Sequence, residues 1–243
     1  MQEPRVIYQD DAILVIDKPA GMIVYPPSTS SGQATSKHDY PALSSWLEKK
    51  YKEIYFVHRI DRETSGVLVV ARDEKTFEVL KKQFKNREVR KVYRAFVYGV
   101  IKDERGVIDK PIGSARGGRG PRSASLPHGA VRDALTAYRV IARSKGTTRD
   151  ASVGTSYVEV FPKTGRTHQI RVHFSSIQRP IICDVLYAPT RPPLLGFTRL
   201  ALHALSIAFT HPSTSSGQAP QEVTFEAPLP EDFVAAEKLL EKA

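Results

Sequence analysis

His58-Arg59-Ile60-Asp61-Arg62-Glu63-Thr64-Ser65-Gly66 runs directly into the apolar stretch Val67-Leu68-Val69-Val70. A charged segment followed by an unbroken aliphatic run reads as a loop entering a buried strand. Asp61 stands between Arg59 and Arg62, and nearby positive charge favours the ionised form of a carboxyl group. An ionised carboxylate on a rigid support suits nucleophilic or general-base chemistry at a sugar or a base. An ion-paired surface loop has the same composition, and these residues alone leave both readings open.

Working outward, Arg5 to Tyr8 and Ile13 to Ile16 read as two short strands around the turn Gln9-Asp10-Asp11. Leu43, Trp46 and Leu47 fall at helical spacing. Asp73 is placed to cap a helix that carries Phe77, Leu80 and Phe84 on one face. Lys91 to Gly99 alternates as a strand with Tyr93, Ala95 and Val97 on one side. From Val100 to Ala130 the chain is rich in Gly, Pro, Arg and Ser, and reads as a long exposed connection, basic and flexible over about 113–130. Tyr157 to Phe161 is strand-like. Thr167 to Ile177 is helical with Ile170, Phe174 and Ile177 as its apolar stripe, and Leu205, Ile207 and Phe209 alternate as a late strand. Pro230 opens a terminal helix with Phe233, Ala236 and Leu240 turned inward. Strands and helices mix without a regular βαβ period, so the expected class is α+β with a mixed, mostly antiparallel sheet.

Composition narrows the function classes. No window approaches the roughly 18 uninterrupted apolar residues of a membrane helix. The N-terminal residues meet a polar break before any secretory apolar region forms. A single cysteine, Cys183, permits no internal disulfide and cannot alone build a thiolate metal site. A reduced cytoplasm is the expected setting. Lys and Arg number 36 against 26 Asp and Glu, a net charge of +10. That excess favours a polyanionic partner through counterion release, although a merely basic protein shares it.

Several segments together resemble one family. His58 to Gly66 is similar to the HR(L/I)D-x-(D/E)-TSG signature of the RluA-type pseudouridine synthases. Ile16-Asp17-Lys18-Pro19-Ala20-Gly21 resembles that family's NKPAG segment, and Lys91-Val92-Tyr93-Arg94-Ala95 its K-x-Y-x-A strand. Gly165-Arg166-Thr167-His168-Gln169-Ile170-Arg171-Val172-His173 resembles its GRTHQIRVH element, and Arg199-Leu200-Ala201-Leu202-His203-Ala204 its RLALHA segment. The five matches occur in family order over roughly residues 5 to 230. One departure is Cys183 and Ala188, which stand where the pattern around Asp184 has glycines.

The resemblance implies a single catalytic domain over 1–243, with inserted loops at about 27–39 and 212–221 and no preceding S4-like domain. It implies the pseudouridine synthase fold, with helices flanking a central sheet and a catalytic cleft between two lobes. The implied activity is isomerisation of uridine in a structured RNA, a stem-loop of rRNA or tRNA. Asp61 is the implied essential carboxylate, Tyr93 the stacking and proton-removing residue, and Arg166 the partner of Asp61. Arg59 is expected to fill the gap a flipped base leaves. Arg62, His168 and Arg171 are expected to contact RNA, and Leu202 to pack on the base. No metal or cofactor is implied, because an isomerisation transfers no electron or group, and the chain is expected to act as a monomer.

Without the flanking segments, Tyr93 reads more often as a core or half-buried aromatic than as a base platform, and Arg166 with His168 as capping or solvated residues at a helix start. His168 and His173 have the wrong spacing for a helical zinc pair. Gly113 to Gly120 lacks the lysine and hydroxyl of a phosphate loop. His58-Arg59 before an aspartate lacks the remaining parts of a kinase site. A non-catalytic RNA-binding or RNA-folding module is the main alternative, and a nucleoside-directed glycosidase the weaker one. The octapeptide Pro27 to Ala34 recurs unchanged as Pro212 to Ala219, with no solenoid period between the copies. Both copies are expected to be exposed, mobile insertions outside the active site.

Overall fold

The computed structural model describes residues 2–26, 41–114, 121–125, 127–144, 154–212 and 221–241. The elements in chain order are β1 (Arg5–Gln9), β2 (Ile13–Lys18), α1 (Leu43–Glu48), β3 (Tyr55–Phe56), β4 (Ser65–Ala71) and α2 (Glu74–Asn86). They continue with β5 (Arg90–Tyr98), β6 (Arg105–Asp109), β7 (Ile112–Ser114), β8 (Arg122–Ser123), β9 (His128–Arg132) and β10 (Leu135–Ser144). The chain ends with β11 (Thr155–Pro162), α3 (Gln169–Ser176), β12 (Leu202–Thr210), β13 (Glu222–Glu226) and α4 (Glu231–Glu241).

Two compact units emerge, one formed by Met1–Val89 with Ser206–Ala227 and the other by Arg90–Leu205 with Pro228–Ala243. In the first, β2 pairs antiparallel with β1 and with β4, and β3 adds to β4 from Tyr55↔Ala71. Every residue of β4 is buried, as an aliphatic run between partner strands requires. Asp73 caps α2 by accepting from the Thr76 backbone N–H at 2.8 Å. Arg87 then closes that helix in the left-handed region at φ 62°.

In the second unit β5, β11, β10 and β6 form a consecutive antiparallel sheet. Its core gathers Phe96, Tyr157, Phe197 and Phe233, with the Phe96 and Tyr157 rings stacked at 4.2 Å and Phe233 of α4 edge-on to Phe96 at 5.5 Å. Phe174 of α3 packs against Tyr138 of β10 at 5.6 Å. The α+β class with a largely antiparallel sheet therefore stands.

One expectation is corrected. The segment from Val100 to Ala130 is not a structureless connection. It contains β6, which pairs in register with β10 from Arg105↔Arg139 to Asp109↔Leu135, and a separate three-stranded sheet ordered β8-β7-β9. All four strands are short, and β6 and β9 are glycine-bearing and largely exposed, so they carry no clear apolar alternation and pairing decides them. The octapeptide copies, apart from Pro212, lie outside the described residues, as do Arg116 and Arg119 of the basic segment.

Candidate active site

Asp61 lies on residues 57–64, between β3 and β4 of the first unit, half-buried. The backbone on either side of it is fixed. Ile60 is 5% exposed and anchors the loop in apolar surroundings. Lys18, at the end of β2, is fully buried and donates from Nζ to the carbonyls of Pro19 at 2.8 Å, Met22 at 2.9 Å and Arg62 at 3.1 Å. The Arg62 carbonyl also accepts from Gly21 N–H at 2.9 Å, and Gly21 sits at φ 85°, open to glycine at low cost. Thr64 N–H donates to the Asp61 carbonyl at 3.1 Å. A buried ammonium carries three donors, and here three carbonyls accept from it.

His58 supplies the other anchor. Its Nε2 accepts from Val69 N–H at 3.0 Å, and its ring stacks on Phe84 at 4.8 Å. β3 pairs with β4 only as far as Phe56↔Val70, so the imidazole takes over an N–H of β4 where the backbone departs. Accepting at Nε2 places the neutral ring's proton on Nδ1. Arg59 is exposed, with its guanidinium 5.4 Å from the Tyr25 ring centre, and Arg62 bonds Glu63.

The other expected residues belong to the second unit. Tyr93 is half-buried on β5 and packs against the unit's core. Lys91, two residues earlier, has its ammonium held below the ordinary lysine range by burial. Arg166 lies on the turn between β11 and α3, where its Nε donates to the Asp133 carbonyl at 3.1 Å and its backbone N–H to Gln169 Oε1 at 3.0 Å. Gln169 is 4% exposed. Its Oε1 also accepts from the Thr164 hydroxyl at 2.6 Å, and its Nε2 donates to the Leu135 carbonyl at 3.1 Å and Thr136 Oγ1 at 2.9 Å. All four hydrogen-bonding positions of that amide are used, and together they set the Arg166 turn.

Three further expected residues are held in the second unit by specific partners. Arg171 is 5% exposed and grips Asp184 through two 2.8 Å bonds, Nε to Oδ2 and Nη2 to Oδ1. It acts as a buried strut in this fold. Asp184 Oδ1 further accepts from Leu186 and Tyr187 N–H, each at 3.0 Å. His168, at φ 55° before α3, places Nδ1 3.1 Å from the Tyr187 hydroxyl. Leu202 is 3% exposed within the second unit's core. Cys183, where the family pattern has glycine, sits at φ 58°, a conformation that side chains adopt only at a cost.

Lys18 and Gln169 lie within the motif segments without an expected role, and Tyr187 lies outside them. Their signal is weak: a lysine closing an apolar strand, a glutamine inside a segment read for its charges, and a tyrosine three residues after Asp184. His173 belongs with them. It is fully buried, contacts Thr136 Oγ1 at 2.8 Å and the Lys110 carbonyl at 2.9 Å, and burial lowers its pKa.

Residues 12–176 match the family described as RNA pseudouridylate synthase. The chain belongs to the RNA pseudouridylate synthase family. The synthase is therefore an isomerase of the class that forms pseudouridine in RNA. It is 33% identical to a Vibrio parahaemolyticus protein named dual-specificity RNA pseudouridine synthase RluA, over 86% of this chain and 78% of that one. It is 35% identical to the Pseudomonas aeruginosa ribosomal large subunit pseudouridine synthase D, over 96% of this chain and 70% of that one. Among solved structures it is similar to human RNA pseudouridylate synthase domain containing 1, with a TM-score of 0.73 and 26% identity over 94% of this chain and 84% of that one. No described helix of the synthase is long and apolar enough to cross a membrane.

Proposed function

We propose that this synthase converts uridine to pseudouridine in a stem-loop of rRNA or tRNA, acting as a monomer in the cytoplasm, with Asp61 as the essential carboxylate. The carrying observation is the anchoring of the Asp61 loop by Lys18, Gly21 and His58. A fully buried ammonium whose three donors are spent on this backbone fixes the loop that carries Asp61, as a positioned catalytic group requires.

In the reaction the bond from ribose to the uracil nitrogen breaks, the base rotates, and a carbon of the ring bonds to ribose. A proton leaves that carbon and one is gained at the freed nitrogen, so the change is an isomerisation. Asp61 acts at the ribosyl–uracil unit as nucleophile or base. Tyr93 stacks on the displaced base and takes part in the proton removal. Arg166 is the cationic partner of the catalytic carboxylate, as the resemblance implies. Arg59, exposed and planar, enters the space left by the flipped nucleotide.

The test is to incubate unmodified rRNA and tRNA transcripts with the full chain and map pseudouridine by carbodiimide-dependent primer-extension stops. Wild type should give discrete stops and Asp61→Asn none, while the variant still binds RNA. RNA binding by wild type without pseudouridine would identify the non-catalytic module instead.

A further inference from the structure

Residues 110–132 contain Lys110, Arg116, Arg119, Arg122 and Arg132 and no Asp or Glu. Within the described part of this stretch, the β8-β7-β9 sheet pairs Ser114 with Arg122 on one side and with His128 on the other. Directly paired residues share a face of a sheet, so Arg122, Ser114 and His128 stand in one row. Arg122 Nη1 donates to Ser114 Oγ at 3.2 Å, which places the guanidinium along that row. Arg122 and His128 are exposed, and all five residues of β9 are open to solvent.

The support beneath the row is hydrogen-bonded and packed. Arg122 N–H donates to the Tyr187 hydroxyl at 3.1 Å. The Tyr187 ring lies 5.2 Å from the guanidinium of Arg171, which is itself locked to Asp184. Ile112, Ala134 and Val172 form a small apolar cluster, with Ala124 and Tyr187 packed against it. The same Tyr187 hydroxyl meets His168, two residues after Arg166. Functional groups held on such a frame lose little freedom when a ligand binds.

We propose that the Arg122–Ser114–His128 row is a phosphate-binding surface for the substrate RNA. A guanidinium, a hydroxyl and an imidazole in adjacent strands offer donors about 5 Å apart, suited to successive oxygens of a sugar–phosphate backbone. Between Asp109 and Asp133 the stretch carries five basic side chains and no carboxylate, in a chain whose net charge of +10 favours a polyanionic partner. The proposal rests on the reading of RNA as the substrate.

The experiment is equilibrium binding of unmodified large-subunit rRNA and tRNA transcripts to the full chain across a salt series. Arg122→Gln combined with His128→Gln should weaken affinity about tenfold at physiological salt and lower the slope of log affinity against log salt by about one. Arg122→Lys should keep the slope and recover part of the affinity. Arg105→Gln removes an exposed arginine of β6 and serves as the control, expected within twofold of wild type. Affinity of the double variant equal to wild type at every salt, or an equal loss in the control, overturns the proposal. The two readings fail separately: wild type that binds RNA without forming pseudouridine sinks the catalytic reading alone. Wild type that forms it, beside a double variant that binds normally, sinks this one alone.

Discussion

Arg171 and Asp184 form a bidentate pair in which both nitrogen–oxygen distances are 2.8 Å and both side chains are almost fully buried. Removing one partner of such a pair strands a buried charge, at a cost of about 3–5 kcal/mol. Asp184→Asn and Arg171→Met should each lower the denaturation midpoint sharply. A double replacement by apolar residues of similar volume should recover part of the loss, because no orphan charge remains. Midpoints of the single variants within error of wild type would show that the pair contributes nothing to stability.

Arg166→Lys tests the guanidinium. Its Nε is committed to the Asp133 carbonyl, so the planar fork is held in one orientation. A lysine ammonium keeps the charge and loses the fork. Turnover should fall about tenfold or more in the lysine variant and further in Arg166→Ala, with folding unchanged. Full turnover in Arg166→Lys would mean that charge alone suffices there.

His58 should act through geometry and not through contact with the reacting atoms. His58→Phe keeps a ring against Phe84 and loses the acceptor for Val69 N–H, whereas His58→Gln can offer an oxygen to it. The expected pattern is a loss of kcat with little change in KM for the phenylalanine variant, and partial rescue by glutamine. Faster amide exchange at Val69 in the phenylalanine variant checks the mechanism. An unchanged kcat in His58→Phe would remove His58 from the positioning of the loop.

Asp73 gives a pH signature. Hydrogen bonding from the Thr76 backbone at the start of α2 holds its carboxyl below the ordinary aspartate range. The folded value lies below the unfolded one, so between the two the unfolded chain binds more protons. The capping contribution is thus complete above the unfolded value and disappears as pH falls through the folded one. Asp73→Ala should cost about 1 kcal/mol near neutrality. Denaturant midpoints of the two proteins should converge as the medium is acidified below pH of about 4. A gap that stays constant with pH would assign the cost to something other than the charged cap.

Much of this protein was legible before any coordinates. β2, β4, α2 and β5 follow from aliphatic runs, alternation and a capping aspartate, signals that local physics writes into neighbouring residues. The family followed from five ordered segments, and residues 12–176 match it as a whole. β6 to β10 were not legible. They are glycine-bearing or half-exposed strands whose existence depends on partners far along the chain, as in the pairing of Gly106 with Tyr138.

The sequence by itself determined the fold class and the family, because periodicity and ordered motifs are written along the chain. Only the tertiary structure decided what Arg171, Lys18, Gln169 and Tyr187 do. An arginine in a sequence is equally a phosphate ligand or a strut, and burial against Asp184 makes it the second. A lysine beside a proline is unremarkable until three carbonyls converge on its ammonium. Charge and hydrogen-bonding capacity belong to the residue. Their assignment belongs to the fold, since only folding fixes which distant donor and acceptor leave water together.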